Sequence, residues 1–120
     1  DSTSLINTLR AMEIDVHKKM PVLGNITGGL SGPAIRPVAL YQVYRAAQVA
    51  EKPVVGMGGI ETWEDVARFL IAGATAIQIG TALFRAPGAP AAMMDGLHSF
   101  LADQGVTRVQ DLVGSLKLPK

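Results

Sequence analysis

The strongest constraint on this chain is a strand–helix–strand succession in which both strands run into glycine. The stretch Pro53–Gly59, "PVVGMGG", is too apolar to leave a face for solvent and reads as a buried strand of a parallel sheet. Ala74–Gly80, "ATAIQIG", reads the same way. Between them Thr62 is placed to cap a helix, with Glu64 and Asp65 in the first turn, where the helix dipole favours acids. Val66, Phe69 and Leu70 then share one face, and Gly73 stops the helix. Parallel strands joined by a helix require a right-handed crossover, so the chain is α/β with both sheet faces expected to be covered.

Upstream, Ser4–Leu9 is a short strand candidate. Glu13–Asn25, "EIDVHKKMPVLGN", alternates enough to predict a hairpin-like excursion. Asn25–Pro37, "NITGGLSGPAIRP", is rich in glycine, proline and small hydroxyl residues and is expected to be loop. From Val38 to Ala50, Leu40, Val43, Tyr44, Ala47 and Ala50 recur at helical spacing, and Pro37 suits the first turn. Downstream, Ala82–Arg85 reads as a short turn or helix. Pro90 opens a helix to about Gln104, with Gly105 past its end, and Thr107 caps a last short helix. A (β/α)8 barrel needs roughly 200 residues or more. At 120 residues and three strands the chain fits a small open α/β unit or the last three βα units of a barrel.

Charge and composition narrow the function classes. A formal net charge of +1 gives no electrostatic footing for nucleic acid or an anionic membrane. No apolar run approaches the ~20 residues of a membrane-spanning helix, and no signal-peptide pattern opens the chain, so a cytoplasmic location is expected. The chain has no cysteine, which removes disulfides, thiolate ligands and a cysteine nucleophile from it. His17 and His98 have no ligand-spaced partners, and no metal site is expected. Trp63, Met93 and Met94 are expected to pack, His17–Lys19 to form a solvated turn, and Asp15, Glu61 and Asp65 to form no acid–base pair.

The glycine turns carry the chemistry. A phosphate needs several backbone N–H donors converging within hydrogen-bond reach; glycine lets the chain come close, and a helix start adds free N–H groups. In a parallel sheet the turns at Gly58-Gly59 and Gly80-Thr81 lie side by side at the carboxyl edge. Ala82–Arg85 then matches the short extra helix that often completes a barrel phosphate site. "GGLSG", Gly28–Gly32, is a third glycine loop expected on the same rim.

With these residues in view, "INTLRAM", "NITGGLSGPAIRPVALYQVY", "VVGMGGI" and "AIQIGTALF" together resemble the C-terminal part of the class 1B dihydroorotate dehydrogenases, from Ile6 to about Leu112. The "GGLSGPAI" block with "NT" upstream is specific, whereas the later glycine strings also occur in other flavin and phosphate barrels. The resemblance implies an FMN-dependent TIM barrel that oxidises dihydroorotate to orotate in pyrimidine synthesis. It implies that residues 1–120 are the C-terminal segment of one FMN-binding barrel domain, with the rest of the barrel outside this chain. It implies orotate contacts from Asn7 and Thr8, and Ile6 bordering the flavin. Gly32, Gly58, Gly59, Gly80 and Thr81 would line FMN, the last four around its phosphate. It also implies a homo- or hetero-oligomer and a partner subunit bearing an iron–sulfur cluster and FAD.

In that family a cysteine takes the substrate proton and a lysine contacts the flavin. Lys18, Lys19 and Lys52 are not in the matching context, so the chain is expected to hold no catalytic residue and to be inactive alone. Two other readings stand beside this one: a non-catalytic phosphate-binding half-barrel, and another FMN-dependent TIM-barrel oxidoreductase. Asn7-Thr8 and "GGLSG" argue against the second.

Overall fold

The computed structural model describes residues 1–119. In chain order the strands and helices are β1 (Thr3–Leu5), β2 (Leu9–Met12), β3 (Ile14–Asp15), β4 (Met20–Pro21), β5 (Thr27–Leu30), α1 (Arg36–Ala47), β6 (Val54–Met57), α2 (Trp63–Ala72), β7 (Ala76–Gln78), α3 (Ala82–Arg85) and α4 (Ala89–Asp103). Tight 3₁₀ turns at Pro33–Ile35 and Val109–Asp111 precede α1 and follow α4.

β1, β6 and β7 form a three-stranded parallel sheet in that spatial order. Thr3 lies opposite Val54 and Leu5 opposite Gly56, while Val55 lies opposite Ala76 and Met57 opposite Gln78. This is the mixed α/β architecture expected from the paired apolar runs. Along β6, Val54 and Gly56 are buried and Val55 and Met57 are half-buried. The period-2 alternation of a strand therefore turns one face toward the helices and leaves the other partly open. The expectation that both faces are covered holds only for the helix-bearing side among the described residues.

The core lies between that side and α1, α2 and α4, with Ala39, Val43, Phe69, Leu70, Met93, Leu97 and Leu101 buried together. Phe69 is wholly buried and presses on the sheet at Gly56, where a Cβ would come within 2.6 Å of the ring. The α2 boundaries follow the sequence signals, from Thr62 as N-cap to Gly73, which takes φ +117° at the C-terminal end. Trp63 packs on Phe100, with ring centroids 5.3 Å apart.

Several expectations need correction. Ser4–Leu9 is not one strand: β1 ends at Leu5, and Leu9 begins β2. Asn25–Pro37 is not all loop, because Thr27–Leu30 pairs antiparallel with Leu9–Met12. Pairing with a neighbour overrides the poor strand propensity of the two glycines. The excursion does close as a hairpin, with Ile14 opposite Pro21 and Asp15 opposite Met20. It carries an exposed apolar surface that includes Ile14, Val16, Met20 and Val22. α1 starts and ends earlier than expected, at Arg36 and Ala47, and Ala50 is exposed. The last helix is only a 3₁₀ turn, and Met94 is exposed while Met93 packs.

Candidate functional site

Parallel pairing brings the carboxyl ends of β1, β6 and β7 to one edge, and the segments that follow them enclose a cavity of about 440 Å³. That volume lies in the range of small-molecule sites. After β1 come Ile6, Asn7 and Thr8; after β6, Gly58 and Gly59; after β7, Gly80 and Thr81; and before α1, Gly32. All eight residues singled out as candidate ligand contacts line this one space, whereas of the "GGLSG" stretch expected on the same rim only Ser31 and Gly32 reach it, Gly28–Leu30 being part of β5.

Gly32 joins the two glycine turns. A Cβ on Gly59 would lie 2.7 Å from the Gly32 carbonyl oxygen and 2.7 Å from the Arg36 Cβ. A Cβ on Gly32 would lie 3.7 Å from the Thr81 methyl. Gly59 takes φ +75°, a backbone region that side chains disfavour, so both conformation and space require glycine there. Among the described residues the N–H groups of Gly59, Gly80 and Thr81 donate to no backbone carbonyl. The Thr81 side chain makes no capping bond to α3, whose extent, Ala82–Arg85, is as read from the sequence. Unpaired donors around a glycine-walled hollow are a donor set suited to a phosphate.

At the opposite end of the cavity Asn7 and Thr8 are exposed at the close of β1. The Thr8 N–H donates to Asn7 Oδ1 at 2.8 Å, which fixes the amide and leaves its NH2 to donate outward. The Thr8 side chain sits against Gly29 of β5, where any Cβ would collide with it. The β2–β5 ladder therefore positions Thr8 through Gly29.

A buried acid organises the rim. Asp65 is 1% exposed. Its Oδ2 accepts the backbone N–H groups of Glu61 at 3.0 Å and Thr62 at 3.2 Å. Its Oδ1 pairs with Arg36 at 2.8 Å and Arg68 at 2.6 Å. Arg36 opens α1, directly after the Gly32 loop, so Asp65 ties the segment after β6 to the loop that roofs Gly59. This structural role of Asp65 was not read from the sequence. Glu61 also lines the cavity, and its Oε1 accepts from Arg85 Nη1 at 2.9 Å.

Ser4, Ser31, Met57 and Gln78 line the cavity as well and were not singled out from the sequence. Strand alternation was the available signal, since Ser4 lies two residues before Ile6 and Gln78 two before Gly80. Among the described residues no cluster of His, Cys, Asp or Glu is arranged to hold a metal ion, and no helix is long and apolar enough to cross a membrane.

The sequence pattern of the dihydroorotate dehydrogenase family matches residues 2–101. A protein of Geotalea uraniireducens described as dihydroorotate dehydrogenase B (NAD(+)), catalytic subunit, is 50% identical over 116 residues, which cover 97% of this chain and 38% of that protein. The protein of the same description from Geotalea daltonii is 49% identical over 118 residues, covering 98% of this chain and 39% of its own length. That of Geobacter sulfurreducens is 48% identical over 118 residues, with the same coverages of 98% and 39%. The chain thus spans 38–39% of the length of these relatives.

Proposed function

This chain belongs to the dihydroorotate dehydrogenase family, and on that premise we propose that it is the C-terminal segment of an FMN-binding (β/α)8 barrel that oxidises dihydroorotate to orotate in pyrimidine synthesis. The observation that carries this reading is the convergence of Asn7-Thr8, Gly32 and both glycine turns on one cavity at the carboxyl edge of a parallel sheet.

In this reading the backbone N–H groups of Gly59, Gly80 and Thr81, with the Thr81 hydroxyl, hold the FMN phosphate. Gly58 and Gly32 keep the walls low enough for it to approach. Ile6 borders the flavin and excludes water from that side. The Asn7 NH2 and the Thr8 hydroxyl orient the pyrimidine ring and its carboxylate; neutral donors at fixed angles suit an anion whose charge must be matched without trapping it. The chemistry that FMN supplies when bound is acceptance of a hydride from the substrate. Proton removal is assigned to a residue outside this chain, which has no cysteine.

The relatives' description as catalytic subunits acting with NAD(+) supports a second subunit that passes electrons onward; that it carries an iron–sulfur cluster and FAD rests on the family resemblance alone. The test is to strip the flavin from the intact enzyme that contains this segment and titrate it with FMN and with riboflavin. Clear preference for FMN and anaerobic bleaching of the flavin by dihydroorotate are expected. Equal affinity for the two flavins would overturn the phosphate assignment, and a flavin inert to dihydroorotate would overturn the substrate.

A further inference from the structure

One charged pair at the rim has no role in the reading above. Glu61 is the carboxylate that lines the cavity, in the segment directly after the Gly58-Gly59 turn. Its backbone N–H is held by Asp65 Oδ2 at 3.0 Å, which keeps the residue itself at the rim. A carboxylate beside a site built for an anion raises the energy of that anion. The structure answers this with Arg85, the last residue of α3, whose Nη1 donates to Glu61 Oε1 at 2.9 Å. The pair therefore bridges the segment after β6 and the short helix after β7, the two neighbouring segments whose glycine turns line the cavity.

We propose that Arg85 is a positioning residue: it neutralises Glu61 and latches α3 against the segment after β6, so that the rim admits a dianionic phosphate. This rests on the phosphate assignment of the preceding subsection. The pair contributes little to folding stability, because the Arg85 side chain is 69% exposed and that of Glu61 25% exposed. Its effect falls on the anion instead, since a phosphate carries up to two negative charges toward the carboxylate that Arg85 covers. The α3 helix is one turn long, and the Glu61–Arg85 bond ties it to a different strand's loop. Loss of the bond frees both the charge and the helix, and substitution separates the two effects.

The experiment titrates flavin-stripped parent, Arg85→Gln, Glu61→Gln and the Glu61→Gln/Arg85→Gln double variant with FMN and with riboflavin, at low and at high salt, following flavin fluorescence. Arg85→Gln should weaken FMN roughly tenfold at low salt, with most of the loss gone at high salt. Riboflavin, which has no phosphate, should bind all four proteins alike. The double variant should recover most of the FMN affinity, and Arg85→Lys should keep most of it. Unchanged FMN binding by Arg85→Gln overturns the proposal, and so does a double variant that stays as weak as Arg85→Gln. A parent that does not prefer FMN to riboflavin overturns the phosphate assignment itself, and this proposal with it. Thermal melts within a degree or two of the parent are expected for all variants of this exposed pair, so a binding change is not read as unfolding.

Discussion

Gly59 and Gly32 meet so closely that no side chain fits between the turn after β6 and the loop before α1, the Gly32 carbonyl oxygen lying 2.7 Å from where a Gly59 Cβ would stand. Gly59→Ala therefore combines a positive-φ strain of about 1–2 kcal/mol with overpacking of about 1–3 kcal/mol. The expected loss in chemical denaturation is about 2–5 kcal/mol, and under the proposed function the enzyme also loses its flavin. A variant that keeps both parent stability and full flavin content would contradict the geometry drawn here.

Asp65 is the second lever on the same contact. Asp65→Ala removes the partner of Arg36 and two backbone N–H acceptors at once. Breaking a buried pair by deleting one member costs about 3–5 kcal/mol. Here Arg36 and Arg68 reach water, at 34% and 50% side-chain exposure, so about 2–3 kcal/mol is expected on that scale. Arg68→Ala should cost under about 1 kcal/mol, because it removes only the outer partner. Urea midpoints for the two variants give the ranking, and the reverse order would remove Asp65 from its place at the centre of the rim.

Asn7 offers a test at the opposite end of the cavity. Asn7→Ala deletes the donating NH2 and releases the Thr8 N–H from its acceptor. Orotate affinity should fall by about 1.5–3 kcal/mol, the worth of a hydrogen bond to a charged group, while FMN content stays at the parent level. Equal loss of flavin and orotate would place Asn7 in the wrong half of the site.

The pH response of the α2 start is read from Glu64. Its carboxyl is held below the ordinary glutamate range, chiefly by the Thr62 side-chain hydrogen bond, then by its own backbone N–H and by Arg68, against slight desolvation and Asp65. A depressed folded pKa means that this group's stabilisation is present above its unfolded pKa and is lost as pH falls through the folded value. Thr62→Ala should move the Glu64 carboxyl back up toward the ordinary range. Carboxyl-detected NMR titration reports this directly, and an unmoved Glu64 would take the Thr62 bond out of the account.

Much of this site was legible before the fold because its signals are local. Gly58-Gly59 and Gly80-Thr81 announce themselves by ending apolar runs, and Thr62 and Gly73 bracket a helix by capping chemistry alone. What stayed hidden depends on partners distant in sequence. Thr27–Leu30 reads as loop until Leu9–Met12 lies beside it, since its two glycines have no strand preference of their own. Asp65 reads as an ordinary first-turn acid, and nothing local says that Arg36 will be brought to it from the start of the neighbouring α1. Arg85 lies 24 residues from Glu61 and meets it only because β6 and β7 are neighbours. Spacing shows which residues have the right chemistry, whereas the sheet decides which of them share a cavity.

The spatial order of the sheet also bears on how the molecule comes together. Val55 pairs with Ala76 across a single helix, whereas Thr3 must wait for Val54 beyond the hairpins and α1. Closing the longer stretch carries the larger entropic penalty and contributes the more distant contacts. The β6–α2–β7 unit, which bears both glycine turns, is thus the part able to assemble early, and the strand leading to Asn7 and Thr8 docks onto it afterwards. Pulsed hydrogen exchange during refolding should protect the amides of Gly56 and Ile77 before that of Ile6, which donates to Met57 only once β1 is in place. Simultaneous protection would show the two halves of the cavity forming as one.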